Sequence, residues 1–240
     1  MNLTAEQARI KNDAIAFARA NKKSIAKQLT DKTIFVPEEH PVSVFMAGSP
    51  GAGKTEASIA LLGDLEKDGS KVLRIDPDDL RTQFQGYTGE NSWLFQSGVS
   101  ILVEKIHDLA LDQKQSFLLD GTLSHYDIAE KNIKRSLGKD RTVQILYVYQ
   151  EPMLAWKFVC AREEKEGRRI LPEHFIEQYF AARDVVNRLK RTFGSAIQID
   201  LLFKNIGDLG RFFRAGVDQI DNHIPEKYDR STLEKMLSQP

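Results

Sequence analysis

One stretch, residues 42–55 (VSVFMAGSPGAGKT), limits what this chain can fold into more than any other. An apolar run containing Val42, Val44 and Phe45 breaks abruptly into Gly48-Ser49-Pro50-Gly51-Ala52-Gly53-Lys54-Thr55. That is the pattern G-x-x-x-x-G-K-[ST], the P-loop. Its glycines let the backbone turn so that successive N–H groups face phosphate oxygens, and the helix that follows adds partial positive charge. Lys54 is expected to hold the β- and γ-phosphates of ATP, and Thr55 a magnesium ion (Mg2+).

Such a loop joins a strand to a helix, and the remaining sequence keeps that alternation. Apolar runs predict strands over residues 71–76, 116–119, 142–149 and 196–203, in addition to the strand that starts at Val42. Helical spacing predicts helices over 57–67, with Ile59, Leu62 and Leu65 inward, and over 92–114, 126–137, 151–166 and 172–193, followed by two C-terminal helical stretches. The fold class is therefore α/β, with a mostly parallel five-stranded sheet covered by helices on both faces. Residues 1–40 carry no strand signal. Ile10, Ala14, Phe17, Ala18, Ile25 and Leu29 recur at helical spacing, with Arg19, Lys22, Lys23 and Lys27 opposite them. The expected organisation is a helical extension over 1–40 and a P-loop domain over 41–240.

With 240 residues the chain can bury one principal core. Lys plus Arg and Asp plus Glu number 34 each, so net charge gives no reason to expect a polyanionic partner. The basic run Lys131, Lys134, Arg135, Lys139 and Arg141 lacks interleaved aromatics, and no nucleic acid is expected. Cys160 is the single cysteine, which excludes an internal disulfide, and the remaining histidine spacings do not suit zinc. No apolar stretch is long enough for a membrane span or resembles a signal peptide, so a cytoplasmic chain without a membrane partner is expected.

In an open parallel sheet ligands bind beyond the carboxyl ends of the strands, so the residues there are the candidates. The second strand ends in Asp76-Pro77-Asp78-Asp79. A carboxylate at that tip suits proton acceptance from an attacking hydroxyl, and Asp78 is favoured because a base must reach substrate. The third strand ends in Asp120-Gly121-Thr122, where Asp120 suits a magnesium-side or substrate-side acceptor. After the fourth strand, Arg162 and Arg169 are placed to stabilise charge on a transferring phosphoryl group. Cys160, on an apolar helix face with Trp156, reads as core.

Taken together, the P-loop, Ile75-Asp76-Pro77-Asp78, Asp120-Gly121-Thr122 and the arginines before Pro172 resemble the zeta toxin family of P-loop kinases over roughly residues 42–205. The resemblance implies ATP- and magnesium-dependent phosphorylation of the 3′-hydroxyl of UDP-N-acetylglucosamine or a related UDP-sugar, and a small epsilon-type antitoxin as partner. Carried over, Lys54 and Thr55 are the phosphate and magnesium positions, Asp78 the catalytic base, Arg162 and Arg169 the transition-state arginines, and Thr122 the substrate-side threonine. Asp120 stands where the family usually has glutamate. The passage after Asp78 lacks the family's usual His-Pro, and Phe84, Tyr87 and Trp93 are expected to line the acceptor pocket. Two other readings share this site: a phosphotransferase for a different hydroxyl, such as an antibiotic or a nucleic-acid end, and a nucleotide-dependent binding module that transfers nothing.

Overall fold

The computed structural model describes residues 3–67, 69–167, 170–204, 211–225 and 227–237. In chain order its elements are α1 (Ala5–Leu29), β1 (Val42–Ala47), α2 (Lys54–Leu65), β2 (Leu73–Ile75), α3 (Pro77–Arg81), α4 (Ser92–Asp112), β3 (Phe117–Leu119), α5 (Tyr126–Leu137), β4 (Thr142–Gln150), α6 (Pro152–Glu166), α7 (Pro172–Phe193), β5 (Gln198–Lys204), β6 (Phe212–Arg214) and α8 (Arg230–Leu237). The sheet order is β2-β3-β1-β4-β5-β6. The first five strands run parallel and β6 is antiparallel to β5. Because the chain goes outward from β1 to β2 and later crosses to β4, the order reverses around β1, where ligands of open α/β sheets bind.

Strand alternation divides β1 between two layers. Phe45 and Ala47 join the larger core with α1, α4, α5 and α7, while Val44 and Met46 join a smaller one beneath α2. Burying either layer stabilises the fold by about 25 cal/mol per Å2 of apolar surface removed from water. The register then sets the site's height. Ile75 pairs with Leu119 and Leu119 with Phe45, so Asp76 and Asp120 leave the sheet side by side at its carboxyl edge.

Three expectations need correction. The sheet has six strands, not five: β6 is three residues long and exposed throughout, so neither length nor burial alternation marked it in the sequence. On α2 the inward residues are Ala57 and Ser58, with Leu61 and Leu62 partly buried, whereas Ile59 and Leu65 are exposed. Ala57 and Ser58 take the face toward the sheet, and Ile59, about 100° further round the helix, points away from it. Cys160 is only half-buried, with Phe158 exposed nearby on the same helix. His107 is buried against the rings of Phe45 and Phe117, and burial with the nearby Arg135 and Arg141 charges pushes its pKa down to about 3.

The N-terminal helix α1 opens with a capping box, in which Thr4 Oγ1 accepts from Gln7 N and Gln7 Oε1 accepts from Thr4 N. It packs along α4, burying Ala14, Ala18 and Ala26 in the larger core. Gly98 of α4 permits the approach: a Cβ there would stand 3.0 Å from the Ala14 carbonyl and 2.9 Å from the Phe84 ring.

Candidate active site

The phosphate-type loop leaves β1 at Gly48, whose N–H donates to the Thr122 carbonyl at 3.3 Å and so ties the loop to the end of β3. Gly51 adopts φ +70, and a Cβ on it would lie 2.1 Å from the Ala155 carbonyl of α6. No other residue type permits both the left-handed turn and that approach. Lys54 Nζ donates to the carbonyls of Gly48 at 3.0 Å and Ser49 at 2.6 Å. Ser49, Pro50 and Ala52 are buried, while Thr55 is exposed at the helix start. This glycine-bearing loop, with a lysine and a threonine at the helix start, fits a nucleotide polyphosphate and its magnesium ion.

Below the loop lies a charged cluster built by the aligned ends of β2 and β3. Arg74 contacts Asp76 and donates to Asp120 and Asp79, each at 2.8 Å. Its Nε also donates to Ser58 Oγ at 3.2 Å. Ser58 Oγ lies 3.0 Å from Asp120 Oδ2 and 2.9 Å from the Thr55 carbonyl, joining the cluster to the first turn of α2. Asp120 is thus buried within a structural network. Burial pushes the Asp76 carboxyl up to about 6, against the opposing pull of the Asp78 N–H and Arg74.

Asp76 caps α3, its Oδ1 accepting from Asp78 N at 2.7 Å, with Pro77 in the first helical position. The strand is therefore followed directly by one short helix, and the Asp-Pro pair in the sequence was its signal. This cap turns Asp78 out of the sheet, with its side chain 31% exposed. Asp78 Oδ1 contacts Arg81 Nη1, and Oδ2 accepts from Arg162 Nη2 at 3.2 Å. Arg81 is buried and also donates to Gln96 Oε1 on α4 at 2.9 Å. Arg162 is 44% exposed and pairs with Glu166 at 2.7 Å.

Helix α6 connects the two halves of the site. Ala155 touches the loop at Gly51, and Arg162 lies seven residues on, roughly 10 Å of helical rise away. Of the residues expected here, the structure brings Lys54, Asp78 and Arg162 to one edge. Thr122 shares a hydrogen bond with Ser124 at 3.0 Å beside the loop. Arg169 lies outside the described residues.

The expected pocket aromatics divide. Phe84 is buried in the core, edge-on to Phe17 at 5.3 Å and tilted against Phe95 at 5.6 Å, which corrects its assignment to a pocket wall. Tyr87 is half-buried, edge-on to Phe95 at 5.8 Å. Trp93 is 49% exposed. With Thr88, Asn91 and the start of α1 it borders a cavity of about 380 Å3. Sequence reasoning passed over Arg74, Ser58, Arg81 and Lys204. Arg81 was detectable as the residue one helical turn after Asp78, and Lys204 as the last residue of a parallel strand.

A family profile described as Zeta toxin matches residues 25–214. No curated protein sequence matches the chain. Among solved structures, one from the PezAT chromosomal toxin-antitoxin system of Streptococcus pneumoniae is similar, with TM-score 0.64 and 17% identity, over 98% of this chain and 93% of that one. The AvrRxo1-ORF1:AvrRxo1-ORF2 structure with sulphate ions is similar at TM-score 0.57 and 16% identity, over 92% and 72% of the two chains. The AvrRxo1-ORF1:-ORF2 structure with ATP gives 0.55 and 16%, over 88% and 67%. At these identities the likeness is one of fold.

Proposed function

We propose that this chain, which belongs to the zeta toxin family, is an ATP-dependent kinase that acts as the toxin of a toxin–antitoxin pair in the cytoplasm. Its acceptor is a sugar hydroxyl, most specifically the 3′-hydroxyl of UDP-N-acetylglucosamine or a related UDP-sugar. The observation that carries this reading is the convergence of Asp78 from α3 and Arg162 from α6 beside the loop. Hydrolysis or nucleotide-dependent binding alone has no need of a carboxylate presented at that tip, which favours transfer over a binding module.

Lys54 and the loop N–H groups would hold the polyphosphate, and Thr55 the magnesium ion. Bound MgATP supplies the phosphoryl group and a metal that offsets negative charge on it. Asp78 orients the acceptor hydroxyl and takes its proton as the oxygen bonds to the transferred phosphorus, while the bridging oxygen departs with ADP. Arg162, and Arg169 by resemblance, offset charge on the moving group. The loose transition state of such transfers makes orientation and electrostatics the larger contributions, and proton removal the smaller. Arg81, held by Gln96, fixes where the Asp78 carboxylate points. Thr122 faces the acceptor side, with Asp120 stiffening the floor beneath it.

The test is incubation with γ-labelled ATP, magnesium and separate acceptors, with products resolved. Label on UDP-N-acetylglucosamine that disappears in Asp78→Asn supports the full reading. Label on another acceptor keeps the kinase and replaces the substrate. Label released only as free phosphate removes the transferase.

A further inference from the structure

Strand β5 ends at Lys204, which pairs with Gln150 at the end of β4, so its side chain leaves the sheet at the carboxyl edge used by the phosphate-type loop. The side chain is only 12% exposed. Its Nζ donates to the Gly53 carbonyl at 3.3 Å and lies 3.6 Å from a Glu56 carboxylate oxygen. Gly53, the last loop residue before α2, has φ +78, and a Cβ on it would stand 2.1 Å from that Nζ. The glycine therefore makes room for the ammonium as well as for the turn.

These contacts do not account for the lysine as a structural tie. The Gly53 carbonyl already accepts the Ala57 N–H at 3.1 Å. Glu56 is largely exposed, where an ion pair is worth little. Burying an ammonium is costly without a close counter-charge. Lys54 is held in the same manner, on the carbonyls of Gly48 and Ser49. Both lysines thus rest on carbonyls of one loop whose N–H groups suit an anion. We propose that Lys204 is a second cation of the phosphate site, donating to the nucleotide's phosphate oxygens alongside Lys54. Its flexible stem and compact charge suit transfer from a carbonyl to a phosphate. The proposal deepens the ATP reading above and rests on it.

Calorimetric titration of the full chain with MgATP and, separately, with inorganic tripolyphosphate tests it, using wild type, Lys204→Met, Lys204→Arg and Glu56→Gln. Lys204→Met should weaken both ligands by at least about tenfold, with an unchanged melting temperature in the absence of ligand. Lys204→Arg should recover most of the affinity, and Glu56→Gln should not weaken it. Unaltered affinities in Lys204→Met overturn the proposal. Loss for MgATP with tripolyphosphate unaffected also overturns it, because the lysine would then serve the nucleoside end. Wild type that binds neither ligand refutes the ATP site itself, an outcome separate from failure of the lysine alone.

Discussion

Arg162 donates to Asp78 across 3.2 Å, although 84 residues separate the two in sequence. The contact exists because the Asp76 cap turns α3 outward at the end of β2 and because α6 spans from the loop at Gly51 to the same edge. A carboxylate and a guanidinium are therefore delivered together to one edge of the sheet.

Replacing Asp78 by Asn keeps the side chain's shape and removes its charge. Transfer should fall by about a hundredfold to ten-thousandfold, the range for positioned acid–base groups, while MgATP affinity stays within about twofold because nucleotide binding rests on other residues. Product formation and calorimetry on one preparation check both halves. Wild-type turnover in Asp78→Asn would remove the residue from its role.

Arg81 should behave as a positioning residue. It is buried, it contacts Asp78, and its other amino group is fixed by Gln96. Arg81→Met preserves bulk and deletes one cation at Asp78, so kcat should drop at least about tenfold with little change in KM for ATP, and Arg81→Lys should restore part of it. A fall in ATP affinity with unchanged kcat would show that the residue serves the loop.

Asp76 supplies a pH signature of stability. Its folded pKa of about 6 lies above the ordinary 3.8, so the folded chain keeps a proton that the unfolded chain releases between those values. This contribution favours folding below about pH 4 and is lost as pH rises through 6, by up to about 3 kcal/mol. Asp76→Asn has no such titration. The stability of wild type minus that of Asp76→Asn, from urea unfolding, should therefore decline from pH 4 to pH 6.5. A flat or rising difference would refute the burial argument.

How much of this was legible depended on whether local chemistry or tertiary packing decided the matter. The loop, the parallel sheet and the Asp78 tip could be read because each needs a particular residue at a particular place: glycine at a left-handed turn, lysine at a helix start, aspartate at a strand end. The inward face of α2 could not, since Ile59 is as apolar as a core residue and only the way the helix is turned, with Ala57 and Ser58 toward the sheet, leaves it outside. Strand β6 was hidden for a similar reason, because its pairing partner rather than its own pattern makes it a strand. Lys204 escaped notice because its neighbour Gly53 is 151 residues away.

Phe84 and Trp93 make the sharpest separation of packing from binding. Both are aromatic residues in the passage after Asp78, and sequence offered no way to tell their roles apart. Phe84 fills the space between Phe17 of α1 and Phe95 of α4, and Gly98 leaves room for its ring. Phe84→Ala should therefore cost about 3–5 kcal/mol of stability, the range for a buried aromatic. Trp93, half-exposed beside the cavity at the start of α4, should cost less than about 1 kcal/mol as Trp93→Ala. Its effect should appear instead as a raised KM for the acceptor with KM for ATP unchanged, because a ring at a cavity rim offers a face to a sugar or base. Unfolding curves and two-substrate kinetics distinguish the pair. A stable Phe84→Ala variant with poor acceptor binding would place that ring in the pocket after all, and a Trp93→Ala variant with normal acceptor kinetics would remove the cavity from the substrate's path.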